Sequence, residues 1–166
     1  PFRGVKPRGI EALLQSDTSV LPFLGPALVR HLEEFPWVDT GLSRSELRLL
    51  QLVADKPQGI RDVFPRMHDG ESAFYITDSS LWDLVRRLSM LDPPLVVVDI
   101  QSEGERPLPP ATVEATGRGR AIVAGHGRVD RSEIDRWHGG VHLDRRSPMW
   151  WWDPKRRRLV QHPTAG

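Results

Sequence analysis

The sequence contains no cysteine and no apolar run long enough to cross a membrane. The lack of cysteine excludes a disulfide framework and thiolate chemistry, and it favours a reducing, cytoplasmic compartment. The longest apolar run, residues 94–98, is far shorter than the ~20 residues that span a bilayer, so we expect no membrane partner. The chain also begins without an initiator methionine or an apolar signal core, which predicts that it was cut from a longer protein.

Motifs that would indicate catalysis are lacking as well. There is no G-x-S-x-G elbow, and the G-R-G run at 117–119 has neither the third glycine nor the βαβ frame of a dinucleotide fingerprint. His138 and His142 have H-x-x-x-H spacing, which brings two imidazoles together only on a helix, and Gly139-Gly140 disfavours a helix there. The sequence therefore predicts a non-enzymatic chain with no cofactor and no metal site. Enzymatic activity of a longer protein that contains this chain stays open.

Positive and negative charges nearly balance over the whole sequence, but they are unevenly distributed along it. The net charge is +1, and residues 126–166 carry nine basic and five acidic side chains. Residues 41–125 carry ten basic and twelve acidic side chains, so the excess of positive charge belongs to the C-terminal part. The C-terminal part is therefore the candidate contact for an anionic partner.

Apolar periodicity predicts six helices. Ser43 and Glu46 form a capping box at the start of the clearest one, and Thr77 is the predicted N-cap of the longest. The predicted helices cover residues 9–15, 27–35, 44–54, 59–68, 78–91 and 117–123. Proline or glycine follows most of them, which is typical of helix ends.

The middle of the chain has the element order of a winged helix-turn-helix. Residues 95–100 and 111–115 are rich in β-branched residues and predict a hairpin with a long tip, after three helices. Thr116 then caps a further helix that Gly125 closes. The segment Thr116-Gly117-Arg118-Gly119-Arg120 resembles the T-x-x-G-R signature that opens the helix after the wing in several bacterial regulator families.

The C-terminal part differs in character. It predicts a helical turn over 131–137 that Gly139-Gly140 ends, and then three short strands at 141–143, 149–152 and 158–161. The expected fold is therefore α+β and mainly helical. It consists of an N-terminal helical extension (1–42) that is expected to pack on the core, a winged-helix-like core (43–125) and a small C-terminal β-meander (126–166).

Longer stretches resemble one family. The segments LPFLGPALVRHLEEFPW, GLSRSELRLL and DRWHGGVHL…MWWWD…RRLV are similar to the C-terminal half of a family of bacterial proteins without an assigned activity. The resemblance implies an α/β domain that precedes this chain, and it implies no activity. His138 stands where the resemblance predicts an apolar residue.

DNA binding through the winged helix is disfavoured by its charges. Asp78 and Asp83 offset Arg86 and Arg87 on the outward face of the third core helix, and the wing tip sets Glu103 and Glu105 against Arg106. Non-specific affinity for DNA comes mainly from cations that neutralise phosphates. The helix and the wing tip have no excess of positive charge for this purpose.

The basic and aromatic C-terminal segment offers a second route to nucleic acid. Cations beside tryptophans can combine phosphate contacts with base stacking. Alternation along a strand places Trp151 on the face opposite Trp150 and Trp152, so at least one face is expected to be core. The residues that we consider for nucleic-acid or partner contacts are Arg86, Arg87, Arg136, Arg145, Arg146, Trp151, Lys155, Arg156 and Arg157.

These observations predict a protein-interaction or scaffold module of a larger bacterial protein. Its expected partner is the missing N-terminal domain or another protein, because broad apolar stripes are combined with surfaces that lack reactive groups. The alternative is nucleic-acid binding, related to transcription, through the basic C-terminal segment or the winged helix. A homodimer also remains open.

Overall fold

The chain is a mixed α+β protein in the computed structural model, which describes residues 7–102, 108–146 and 148–162. The helices are α1 Arg8–Leu14, α2 Leu24–Leu32, α3 Arg44–Val53, α4 Ile60–Arg66, α5 Asp78–Ser89 and α6 Gly117–Val123. The strands are β1 Gln58–Gly59, β2 Val96–Ile100, β3 Ala111–Ala115, β4 Arg136–His138, β5 Val141–Leu143, β6 Met149–Asp153 and β7 Arg158–His162. The α+β class is confirmed, whereas "mainly helical" gives too little weight to the small antiparallel sheets.

The chain divides into two compact units. The central unit comprises Ser45–Arg128, and the terminal unit combines Pro1–Arg44 with Val129–Gly166. The N-terminal and C-terminal segments, which the sequence analysis treats separately, therefore contribute to the same unit.

The central unit places β1 between α3 and α4 and ends with the β2–β3 hairpin and α6. Its antiparallel sheet has the order β1-β3-β2, so β2 is an edge strand. The predicted hairpin is confirmed, with Val96 opposite Ala115 and Ile100 opposite Ala111. The helices and the sheet enclose a core of fully buried apolar side chains that includes Leu49, Leu50, Val53, Ile60, Val63, Leu81, Val85, Leu95 and Val113.

Two predicted threonine caps are confirmed in this unit. Thr77 Oγ1 accepts a hydrogen bond from the Ser80 N–H at 3.2 Å, and Thr116 Oγ1 accepts one from the Gly119 N–H at 3.1 Å. Each cap satisfies an N–H group that the first helical turn leaves without a partner.

The T-x-x-G-R segment serves to attach α6 closely to the chain before β2. The Thr116 hydroxyl donates to the Pro94 carbonyl at 2.8 Å, and the Arg118 guanidinium donates to the Pro93 carbonyl at 2.5 Å. A Cβ on Gly119 would lie 2.3 Å from the Leu95 carbonyl oxygen, closer than any side-chain carbon is found to such an atom. Glycine is therefore required at 119 for packing.

The terminal unit contains two separate hairpins, and the predicted meander is wrong. β4 pairs with β5, and β6 pairs with β7, whereas β5 and β6 belong to different sheets in the described part of the chain. Residues 136 and 137, predicted as the end of a helical turn, belong to β4, and within 131–137 only Arg131–Glu133 are helical. Gly139 and Gly140 both have positive φ angles, 56° and 79°, and form the two-residue turn between β4 and β5. Such a turn matches the twist of the strands that it joins.

The core of the terminal unit is built around β6, whose five residues are all buried. Trp152 joins this strand to the chain after α2, because its N–H donates to the Pro36 carbonyl at 2.8 Å and its carbonyl accepts from the Val38 N–H at 3.0 Å. Leu32, Phe35, Leu42 and Leu143 are also fully buried. Both faces of β6 therefore contribute to the core.

Candidate interaction surfaces

An apolar groove of about 620 Å³ lies between α5 and β2 in the central unit. Met90 is 70% exposed and Ile100 50% exposed at this groove, although both are large apolar side chains. Its walls come from the last turns of α5, the residues after it and the edge strand, and include Trp82, Arg86, Met90, Val96, Val98 and Ile100. Contiguous exposed apolar surface of this kind is typical of protein-docking sites.

The free edge of β2 forms one side of this groove. The Gln101 N–H donates to the Pro110 carbonyl and the Thr116 N–H donates to the Leu95 carbonyl, both at 2.9 Å. Since hydrogen-bonded and non-hydrogen-bonded pairs alternate along an antiparallel ladder, the backbone groups of Val96, Val98 and Ile100 point away from β3. These outward groups have no partner within residues 7–102, 108–146 and 148–162.

Arg86 is the single charged side chain that lines the groove in the described part of the chain. It is exposed, and its guanidinium makes no ion pair with any described residue. Arg87, the neighbouring predicted contact residue, differs because it binds Glu46 at 3.0 Å, and that carboxylate is buried. Arg86 is thus free to bind an incoming carboxylate, whereas Arg87 is engaged within the unit.

The predicted wing is described only in part. Glu103, Glu105 and Arg106, which the sequence analysis assigned to the wing tip, lie outside the described residues. On the described surface of α5, Asp83 and Arg86 are the exposed charges, so this face carries no excess of positive charge.

A second surface is the turn between β6 and β7, where Lys155, Arg156, Arg157 and Arg158 are all exposed. Asp153 organises this turn by accepting from the N–H groups of Lys155 and Arg156, both at 3.0 Å. These bonds lower the pKa of the Asp153 carboxyl. Arg156 also pairs with Asp153 at 3.2 Å, and Arg157 has a φ of 51°, which is uncommon for a residue with a side chain.

The other predicted basic residues are distributed over the terminal unit. Arg136 is half-buried on β4, and its guanidinium donates to the Glu34 carbonyl at 3.4 Å. Arg145 and Arg146 are exposed after β5. Of the basic residues predicted there, the structure brings only Lys155, Arg156 and Arg157 together in one turn.

The prediction of Trp151 as a contact residue is wrong. It is only 3% exposed, and Trp150 and Trp152 are buried as well. Alternation places Trp151 opposite its two neighbours, but both faces of β6 are covered, so none of the three rings is presented to a base. Base stacking beside the basic turn therefore has no platform on this strand.

One exposed aromatic ring of this unit, that of Trp137, was not among the contact residues predicted from the sequence. Trp137 is 58% exposed and stacks on His142 with 4.8 Å between ring centroids. His142 Nε2 lies 2.7 Å from Asp135 Oδ1, and its Nδ1 lies 3.4 Å from Asp144 Oδ2. The glycine pair at 139–140 was the available signal, because a two-residue glycine turn predicts a hairpin that places residues 137 and 142 opposite each other.

His138 and His142 lie on opposite faces of this hairpin, since Trp137 is opposite His142 and His138 is opposite Val141. His138 stacks on His31, with ring centroids 4.4 Å apart, and meets the edge of Phe35 at 4.8 Å. Among the described residues no group of three or more His, Cys, Asp or Glu side chains is arranged to hold a metal ion.

The His138–His31 stack predicts that the terminal unit loses stability in acid. Burial, reinforced by the adjacent His31, lowers the pKa of His138 to about 4, whereas an unfolded chain binds the proton near pH 6.5. Burial also lowers the pKa of His31. The folded state is therefore destabilised relative to the unfolded state as the pH falls below 6.5. At pH 5, the expected decrease in the free energy of unfolding due to His138 is about 2 kcal/mol.

Urea unfolding followed by tryptophan fluorescence at pH 7.5 and pH 5 measures this loss. His138→Phe is expected to remove most of the difference between the two pH values, and His126→Gln, at an exposed position, is the matched control. An unchanged pH dependence in His138→Phe would show that His138 is not its source.

No protein-family model, curated protein or solved structure matches the chain. Within the described residues, no helix is both long enough and apolar enough to cross a membrane. The case for a function therefore depends on the two surfaces of the chain itself.

Proposed function

We propose that this chain is a non-enzymatic protein-interaction module whose central unit is a winged helix that docks a protein partner. The order of elements and the sheet order β1-β3-β2 support the winged-helix assignment. The observation that carries the docking proposal is the apolar groove between α5 and β2, with Met90 and Ile100 exposed in it. The resemblance to the bacterial family remains a prediction, and it agrees with a role inside a longer protein.

The charges of α5 favour a protein over DNA as the partner. A helix that enters the major groove of DNA normally brings cations to the phosphates, and the exposed charges of α5 are one Asp83 and one Arg86. A protein surface with apolar side chains can instead fill the groove, where burial of apolar area supplies the free energy of binding.

Selection from a display library of fragments of the source organism's proteins tests this function. Met90→Glu places a charge in the groove, and we expect it to weaken binding of the selected fragments at least about ten-fold. Tyr75→Glu is the matched control, because Tyr75 is also 70% exposed in the central unit but does not line the groove. Fragments that bind wild type and Met90→Glu equally well would overturn the proposal.

A second candidate function, nucleic-acid binding by the basic turn, is supported by the four successive exposed cations at residues 155–158. It predicts an affinity for duplex DNA that falls steeply between about 50 and 200 mM salt. Arg157→Ala is expected to reduce the salt slope by about 1. Arg156→Ala is expected to reduce it less, because Arg156 is already paired with Asp153.

Fluorescence anisotropy with a labelled 20-base-pair duplex measures both slopes. Arg61→Ala in the central unit is the control for a general change of charge, since Arg61 is exposed but lies outside the basic turn. Affinity that does not respond to salt, or an equal effect of Arg61→Ala and Arg157→Ala, would eliminate this candidate.

A further inference from the structure

We propose that the groove binds an extended peptide segment that adds to β2 as a fourth strand and places a carboxylate against Arg86. This inference rests on the proposed docking function and specifies the form of the partner. Binding of this kind requires a free strand edge, an apolar wall and a charged side chain without an ion-pair partner. The groove combines all three.

The strand edge determines the extended conformation of the partner. The outward N–H and C=O groups of Val98 and Ile100 recur at every second residue, which is the spacing that another strand pairs with, whereas Val96 is only 1% exposed and ends the accessible edge. A helical segment satisfies its own backbone groups and would leave this edge without hydrogen bonds. Strand addition gives affinity through the main chain, independently of most of the partner's sequence.

The apolar wall determines the side-chain pattern of the partner. Val96, Val98 and Ile100 point to the same face of the sheet as Ala111, Val113 and Ala115, which are buried. This face remains open at Ile100, where the groove continues between the strand and α5. Alternate side chains of an added strand would project on the same face, so we expect apolar residues at every second position.

The charge of the groove selects an acidic peptide over a second copy of the chain. Arg86 is the charged side chain among the described lining residues, and no described carboxylate lines the groove with it. Symmetric pairing of β2 with β2 of a second copy would bring a second Arg86 and no carboxylate to the shared groove, which leaves like charges unmatched. A peptide with Asp or Glu provides the complementary charge.

A proline in β2 tests strand addition without breaking the sheet of the protein itself. The Val98 N–H points away from β3, so Val98→Pro removes no hydrogen bond of the existing ladder, and proline is tolerated at such edge positions. The experiment selects a phage-displayed random heptapeptide library on the full 166-residue chain. The enriched peptides are then synthesised and titrated by fluorescence anisotropy.

We expect enriched peptides to alternate apolar residues, to contain Asp or Glu and to lack proline. Val98→Pro should weaken binding of these peptides at least about ten-fold, since main-chain hydrogen bonds between the peptide and β2 are lost. Arg86→Gln should weaken binding of these peptides about three- to ten-fold. It should not change the affinity of the peptide analogue in which the acidic residue is replaced by its amide. N-methylation of the peptide at alternate amides should abolish binding to the wild-type chain, a measurement that does not depend on the folding of any variant.

Three results would overturn strand addition. The first is N-methylation that has the same effect at every position, and the second is a set of peptides that bind wild type and a folded Val98→Pro equally. The third is a wild-type chain that forms a dimer in sedimentation and becomes monomeric in Met90→Glu, because the occupant would then be a second copy. If binding is lost in Met90→Glu but not in Val98→Pro, docking stands and strand addition fails; if neither library yields a binder, both fail.

Discussion

Trp152→Ala is expected to lower the free energy of unfolding by about 4 kcal/mol, as large-to-small changes of fully buried aromatic residues do. Trp152 is 2% exposed, and it belongs to the strand on which both sides of the terminal core pack. The main-chain bonds of Trp152 to Pro36 and Val38 hold the strand in place, so the neighbouring side chains have little freedom to fill the cavity.

Trp137→Ala is the matched control for this substitution. Trp137 is 58% exposed, and we expect its removal to cost less than about 1 kcal/mol, mainly through the lost contact with His142. Urea unfolding followed by far-UV circular dichroism measures both variants in the same way. Equal losses would contradict the assignment of Trp152 to the core and of Trp137 to the surface.

Gly119→Ala is expected to lower the free energy of unfolding by about 3 kcal/mol, the upper range for overpacking. The new Cβ would lie 2.3 Å from the Leu95 carbonyl oxygen and 3.2 Å from Leu50 Cδ2. The first contact is with backbone, so α6 as a whole must shift to relieve it. A general preference for alanine over glycine in helices, about 1 kcal/mol, acts in the opposite direction and is too small to compensate.

Gly117→Ala separates these two effects within the same helix. Apart from its chain neighbours and the backbone of its own helix, no atom of the described residues lies within 4 Å of the position that its Cβ would take, so only the helical preference remains. We expect Gly117→Ala to be neutral or to stabilise the chain by up to about 1 kcal/mol. Thermal unfolding of both variants gives the comparison, and a loss of stability in Gly117→Ala similar to that in Gly119→Ala would refute the packing explanation.

Local signals in the sequence were enough to predict the helices and the hairpin of the central unit, although not the short strand β1. Thr77 and Thr116 are caps because each hydroxyl reaches an N–H group three residues ahead, a relation that is contained within one helical turn. The β2–β3 hairpin follows from two β-branched runs that are close in sequence. These interactions involve few residues, so a single sequence records them.

Features that depend on distant residues could not be predicted in this way. Alternation along residues 149–153 indicated one buried face, but it contains no information about what covers the other. Likewise, the apolar character of Met90 and Ile100 contains no information about their exposure, which follows from the position of α5 relative to an edge strand. The sequence analysis included Arg86 among the contact residues, whereas the groove beside it was not foreseen.

The terminal unit draws on both ends of the described chain, whereas the central unit is one continuous stretch. During synthesis, the central unit can begin to fold as soon as residue 128 has emerged from the ribosome. The terminal unit must wait for β6 and β7, so α2 and the buried Phe35 remain without their partners for the time needed to translate the rest. The apolar surface of residues 24–37 is thus exposed to chaperones and to misassociation until the C-terminal strands have been translated.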